Sequence, residues 1–254
     1  MPDASARALL VDAGAPGDNP GPEAFVALAE AAEAAGLTHL VLRARGGRDA
    51  FVLLGRIAAT TRRLGLGAAL PPGERPPALV AKALSSLDVL SGGRALALVA
   101  PEAPGGGAPG ADLAAEVGEE LEVLRLLQRV PAPDYRGVRH HLRRAWNEPR
   151  RPVPPPVGVL VPAAPPDTVA ALLSVAARAA DLVVVGGDTP RVLAGALEGA
   201  AAAVGRGTGA LVLWTPVGGT TPPQAALSPA SGLLWRPPPG HLPSPDALRG
   251  FASR

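Results

Sequence analysis

Cysteine is absent from all 254 residues, which excludes disulfides, thiolate nucleophiles and zinc–thiolate centres together. Lysine is nearly absent too: Lys82 stands alone among 24 basic residues. Arginine therefore carries the positive charge, and a net charge of only +2 accompanies an isoelectric point near 9.9. Aromatics make up 3% of the chain, too few to interleave with the scattered arginines as a base-stacking surface, so no nucleic-acid partner is expected. The same shortage leaves the core to Ala, Leu and Val. The longest apolar tract, Val169 to Val185, is broken by Arg178 and Asp181, so no membrane span is expected either. A basic-then-apolar leader pattern is missing and Asp3 precedes any apolar run, which makes the expectation a soluble cytoplasmic protein. No Ser/His/Asp or metal-ligand spacing is evident, and no metal is expected.

What the chain does have is a core supply and a rhythm. Apolar residues are 47% and charged residues 18%, enough to bury a sizeable interior. Short branched-aliphatic runs alternate with longer Ala/Leu-rich runs. Ala8–Asp12 reads as a first strand, and Pro22–Ala35 as a helix with Phe25, Leu28, Ala29 and Ala32 on one face and Gly36 as its stop. His39–Arg43 reads as strand two, Asp49 as the cap of a helix to about Arg63, and Leu64–Leu70 as strand three. Arg75 to Arg94 reads as one amphipathic helix, opened by prolines, closed by Gly92-Gly93 and feeding the strand Ala95–Val99.

The next helix spans Asp112–Val130, with Glu119, Glu120 and Glu122 toward water. Tyr135–Leu142 is an extended excursion around Gly137, and Pro149–Pro156 a stiff connector. The alternation then resumes: strand Val157–Val161, helix Thr168–Ala180, strand Leu182–Val185, helix Pro190–Val204, strand Ala210–Thr215, a weaker strand at Leu233–Trp235 and a terminal helix from about Asp246. Strands apolar throughout imply burial on both faces, hence a parallel sheet flanked by helices. Two architectures follow, a closed (β/α)8 barrel or an open doubly wound sheet, and the barrel is the first expectation. A domain boundary near Pro152 is the alternative organisation. One domain over 1–254, with a Pro-rich segment at 222–245, is preferred because a second domain would have a small core.

The segment Pro77, Ala81, Leu87-Asp88-Val89-Leu90-Ser91, Gly92-Gly93-Arg94 resembles a pattern of the luciferase-like family of flavin- or deazaflavin-dependent oxidoreductases. Six further stretches are similar to that family in the same order: Ala29–Gly36, Ile57–Gly67, Glu119–Arg125, Tyr135-Arg136-Gly137, Pro154–Gly158 and Ala176–Asp181. The resemblance covers roughly residues 8 to 215 and implies a single TIM barrel whose C-terminal part is shortened. It implies reduced FMN reacting with oxygen to oxygenate a small organic substrate. Hydride transfer with a deazaflavin coenzyme is the alternative, and a barrel without cofactor or catalysis, serving as partner subunit or ligand-binding protein, is a third. It also implies a homodimer through helices beside strands two and three, near Ala31, Ala58 and Ala83. Asp88, Ser91 and Arg94 lie at the entrance to strand four, where residues of a barrel stabilise the fold.

In such a barrel the site sits at the carboxyl ends of the strands. The small, apolar ends Ala68-Ala69-Leu70 and Val99-Ala100 suit the face of a flavin ring. The resemblance further places a non-proline cis peptide at Ala68-Ala69. For the phosphate, Gly186, Gly187 and Thr189 open a helix after a strand, although Asp188 competes for the same amides. Gly218, Gly219 and Thr220 are a second candidate. Gly205–Gly209 resembles a dinucleotide fingerprint but lies between helix and strand in the wrong order, and is read as a turn. Polar groups that family members carry after strand two are replaced by Arg43-Ala44-Arg45, and Val99 and Pro101 are expected to crowd the ring. The remaining catalytic candidates are Arg43, His140 and His141, while His39 is read as structural and His241 as exposed.

Overall fold

Strands that are apolar on both faces need helices over one face and their own ring closed on the other. The computed structural model, which describes residues 7–13, 20–44, 48–101, 112–162, 164–185, 212–217, 231–235 and 242–253, has this arrangement. In chain order the elements are β1 (Arg7–Ala13), α1 (Pro22–Ala34), β2 (His39–Ala44), α2 (Ala50–Thr60), β3 (Gly65–Leu70), α3 (Pro77–Ser91), β4 (Ala95–Val99) and α4 (Asp112–Arg129). A small hairpin of β5 (Tyr135–Arg136) and β6 (His141–Leu142) follows. Then come β7 (Val157–Val161), α5 (Pro166–Ala179), β8 (Leu182–Val185), β9 (Val212–Val217), β10 (Ser231–Trp235) and α6 (Pro245–Ala252).

Eight strands close in the order β1-β10-β9-β8-β7-β4-β3-β2, every neighbouring pair parallel. The fold is a single (β/α)8 barrel, not an open sheet, and no break falls at Pro152: β7 pairs directly with β4 through Ala97↔Val157 and Val99↔Val159. The helix expected at 190–204 and the turn at 205–209 lie outside the described residues.

Local chemistry sets the ends. Gly36 at φ 87° ends the turn after α1, and Leu37 N–H reaches back to the Ala32 carbonyl at 3.0 Å. The Asp49 carboxylate accepts from Phe51 N–H at 2.9 Å and caps α2, which stops at Thr60, three residues short of the expected end, because Thr61 has turned extended. Gly92 at φ 73° and Gly93 at φ 95° stop α3. Both are left-handed positions that any side chain would strain.

The amino ends of the strands are bolted together. Arg94 donates from its guanidinium to the carbonyls of Ser91 (2.7 Å), Leu64 (2.8 Å), Ala58 (3.0 Å) and Thr61 (3.1 Å), and to Thr61 Oγ1 at 2.9 Å. One side chain thus satisfies the orphan carbonyls at the end of α2 and sets the entry to β3. Glu33 accepts from the successive N–H groups of Arg62, Arg63 and Leu64 at 3.0, 2.5 and 2.9 Å. Burial pushes this carboxyl up, but the backbone donors outweigh it and hold Glu33 below the ordinary value. Asp181 receives Val157 N–H at 3.1 Å and Arg125 Nη1 at 2.5 Å, fixing β7 against β8. Asp88 is buried, raised by desolvation, and faces Arg151 at 3.4 Å.

The segment between α4 and β7 is a strap across α3 and α4. Asn147 Nδ2 donates to Ser85 Oγ at 2.9 Å and to the Leu127 carbonyl at 3.1 Å, while Ser85 donates to Gln128 Oε1 at 3.0 Å, all in the interior. Ala58 is buried in the core, whereas Ala31 and Ala83 are half-buried. No helix among the described residues is long and apolar enough to cross a membrane.

Candidate functional site

Alternation along each strand divides the apolar residues into two cores. Leu9, Val11, Leu42, Ala68, Leu70, Ala97, Val99, Val159 and Val161 face outward against the helices. Ala8, Leu10, Val41, Ala69, Leu96, Leu98, Ala100, Leu160, Leu182 and Val184 fill the bore. Glycines let these side chains fit. A Cβ on Gly67 would fall 2.8 Å from Val41 and 2.9 Å from Leu96, and one on Gly158 would fall 2.4 Å from the Leu182 carbonyl oxygen. Below them the His39 ring lies across Gly65, where a Cβ would meet it at 2.2 Å. Burial holds the His39 imidazole down at about 4, so it stays neutral, with Nδ1 2.9 Å from Thr38 Oγ1.

The carboxyl end of the bore is different. Arg43 shares its register with Ala69, which pairs with Leu98. It falls on the bore side of β2 by alternation with Val41, is 5% exposed, and is held by further contacts within the protein. Ala69 and Ala100 present only methyl groups at this level, and both are fully buried. Beneath lie Leu98, Leu160 and Val184.

Of the expected ring-contacting residues, Ala69 and Ala100 point into the bore, whereas the side chains of Ala68, Leu70 and Val99 lie against the helices. The expected crowding by Val99 is therefore corrected: its branched side chain is turned away by strand alternation. The Ala68-Ala69 peptide is not cis, since the only cis bond among the described residues is Glu148-Pro149. Ala68 and Ala69 instead run in unbroken register with both neighbours, Leu42 and Arg43 on one side and Ala97 and Leu98 on the other. Gly186, Gly187, Thr189, Gly218, Gly219, Thr220 and His241 lie outside the described residues.

His140 and His141 do not reach the bore. His141 is exposed on β6, opposite Arg136. His140 is largely buried on the outer flank, its Nε2 3.3 Å from Glu120 Oε2. Glu120 corrects the expectation for its helix: it does not face water but is 4% exposed, because the β5–β6 hairpin folds over it. Burial pushes its carboxyl up to about 7, with Glu116 and Glu119 adding like charge, against a lowering by the Gly73 N–H. Nothing local in the sequence signals this pairing. Beside it, a groove of about 580 Å³ runs between α4, the hairpin and α5, lined by Gly118, Glu122, Arg125, Tyr135, Val138 and Arg178. Burial and then the Glu122 carboxylate, which accepts from Tyr135 Oη at 3.0 Å, raise the Tyr135 phenol to about 12. No group of three or more His, Asp or Glu able to hold a metal occurs among the described residues.

A family model described as luciferase-like monooxygenase matches residues 7–220. No curated protein matches the chain. Solved structures similar to it include an F420-dependent secondary alcohol dehydrogenase in complex with an F420–acetone adduct, 16% identical, covering 86% of this chain and 69% of that one, with a TM-score of 0.70. The coenzyme F420-dependent tetrahydromethanopterin reductase from Methanopyrus kandleri is 17% identical over 84% of this chain and 67% of that one, TM-score 0.70. The monooxygenase RslO1 from Streptomyces bottropensis is 21% identical over 81% of this chain and 70% of that one, TM-score 0.66. At these identities the likeness is one of fold.

Proposed function

Because the chain belongs to the luciferase-like monooxygenase family, we propose that it is an oxidoreductase that seats a flavin at the carboxyl end of its bore. In this reading reduced FMN and oxygen act on a small organic substrate. The observation that supports it is the meeting there of a buried guanidinium, Arg43, with the methyl surfaces of Ala69 and Ala100 over an apolar floor. A planar tricyclic ring needs a flat apolar bed without protruding side chains, and Ala69 and Ala100, which are fully buried, would have to be uncovered to provide one. Bound, the flavin would supply the electron transfer and the oxygen chemistry.

The chain's own part is to bind, orient and keep dry. Arg43, already fixed by its neighbours, is a pre-oriented cation for a negatively charged group of the ligand. Leu98, Leu160 and Val184 close the bore from below and exclude water from that side. Gly67 lets Val41 and Leu96 pack without a gap further down, so the floor is solid. For the phosphate we propose the segments that follow β8 and β9, Gly186-Gly187 with Thr189 or Gly218-Gly219 with Thr220.

A second reading, hydride transfer with a deazaflavin coenzyme, is favoured by the likeness in fold to two F420-dependent enzymes at TM-scores of 0.70. One titration separates the readings. Purified protein is mixed with FMN, with FMN reduced under anaerobic conditions, and with the deazaflavin, and ligand fluorescence is followed. Stoichiometric quenching by one of them identifies the cofactor. Arg43→Met should weaken that binding by about tenfold or more, as expected for losing a charge-assisted contact. Flat titrations with all three would leave a barrel that binds neither, acting as a partner subunit or a carrier of another ligand.

A further inference from the structure

Two carboxylates on one face of α4, Glu116 and Glu120, stand between the rim of the barrel and the β5–β6 hairpin. On the rim side is Gly73, in the loop between β3 and α3. Its backbone N–H faces Glu120, and a Cβ on it would fall 3.2 Å from Glu116 Oε1. On the other side is the hairpin. His140 Nε2 lies 3.3 Å from Glu120 Oε2, and Arg139 Nε lies 4.0 Å from Glu116 Oε1. The Glu120 side chain is 5% exposed and that of His140 17%. An imidazole with its proton on Nε2 donates to this carboxylate whether it is neutral or charged, so the contact needs no change of protonation.

The hairpin is fixed to α4 by its backbone as well. Glu119 accepts from Arg139 N–H at 3.0 Å and from His140 N–H at 2.8 Å. Gly137 makes that approach possible, since a Cβ there would fall 1.9 Å from Glu119 Oε1. The loop is tied at its two ends. The Leu70 carbonyl accepts from Ala100 N–H at 2.7 Å, and Arg75 Nη1 donates to Asp49 Oδ2 at 2.9 Å. Pro71, Pro72 and Pro76 restrict the backbone between these ties. Only Gly73, at φ 72°, takes a left-handed turn within the loop, and that turn is what meets α4.

We propose that Glu120 is a positioning residue for the site at the carboxyl end of the bore: through Gly73 it holds the β3–α3 loop in one place, and the hairpin keeps Glu120 aimed at that loop. This rests on the reading that a flavin sits there. The loop begins two residues after Ala69, whose methyl faces the bore, so its placement sets the rim beside that methyl. Without the carboxylate, Gly73 N–H loses the acceptor it faces and His140 stands over a cavity, so the loop samples other placements. A seat formed only part of the time binds its ligand more weakly by that fraction.

Backbone amide NMR relaxation reads the loop in the free chain. Order parameters at Gly73, Glu74 and Arg75 should be about 0.85 in the unmodified chain, as in β3, and should fall below about 0.6 in Glu120→Ala. Glu120→Gln should keep them high, because its amide retains an acceptor for Gly73 and a donor for the other tautomer of His140. The same proteins are titrated with FMN, reduced FMN and the deazaflavin. For whichever binds the unmodified chain, the dissociation constant should rise about fivefold or more in the alanine variant and return to within about twofold in the glutamine variant. A loop that is already mobile in the unmodified chain, or no looser in Glu120→Ala, overturns the proposal. So does a loosened loop with unchanged affinity. Should none of the three ligands bind the unmodified chain, the flavin reading falls, while the relaxation comparison still decides whether Glu120 holds the loop. Should Glu120→Ala fail to fold, His140→Ala takes its place: it removes the hairpin's hold on Glu120, and unchanged order parameters at Gly73 overturn the brace.

Discussion

The two ends of this barrel are built on opposite plans. At the amino end, charged side chains are spent on backbone: Arg94 on four carbonyls, Glu33 on three consecutive amides, Asp181 on the amide of Val157. At the carboxyl end, the described bore residues are apolar, Ala69, Ala100 and Leu160 among them, beside one buried guanidinium. Polar groups tied to backbone fix a ring of strands, whereas the opposite end is closed by small, fully buried side chains. The motif residues that carry the family resemblance, Asp88, Ser91 and Arg94, all belong to the bolted end. That is why they speak to architecture and not to substrate.

Substitutions at the two ends should therefore differ in kind. The largest effect is expected for Arg94→Ala, which strands several carbonyls and should cost roughly 3 kcal/mol or more, read as a shift in the urea midpoint. A loss below about 1 kcal/mol would mean the bolts are ornamental. Gly158→Ala comes next, because the added methyl meets the Leu182 carbonyl oxygen at 2.4 Å, a backbone atom that cannot step aside. Overpacking of this kind costs about 1–3 kcal/mol. The His39 imidazole gives a pH-dependent effect. An unfolded chain takes up its proton near 6.5, while the folded chain refuses it until about 4, so stability should fall as pH drops through that window. His39→Asn should flatten this acid limb in thermal unfolding. At the opposite end Arg43→Met leaves the groups that hold this buried side chain without their partner, so it should cost about 1–3 kcal/mol by the same measurement, while its effect on ligand binding is large. A collapse of stability there would erase the contrast between the ends.

The ring was legible in the sequence because its strands are uniformly apolar and its helices are punctuated by Asp49, Gly36 and the Gly92-Gly93 pair. The same uniformity hid which residues face the bore. In a strand buried on both sides, alternation carries no compositional mark, so Ala68 and Ala69, or Val99 and Ala100, read alike although one of each pair is turned outward. Arg43 stood out because a charge ending an apolar strand is rare. Glu120 did not, because three glutamates close together on a helix read as a solvated face. Only the hairpin, arriving from beyond Arg129, buries one of them, and contact at that sequence distance leaves no local trace.

Between β4 and β7 the backbone departs for α4 and the strap, yet the two strands lie side by side in register. The closed wall is thus composed of two successive quartets, β1–β4 and β7–β10, connected covalently through this single excursion. Severing the excursion would produce two fragments that already possess complementary edges at both junctions, β4 with β7 and β1 with β10. Fragments expressed apart should reassemble, which makes this barrel a natural scaffold for split-protein design.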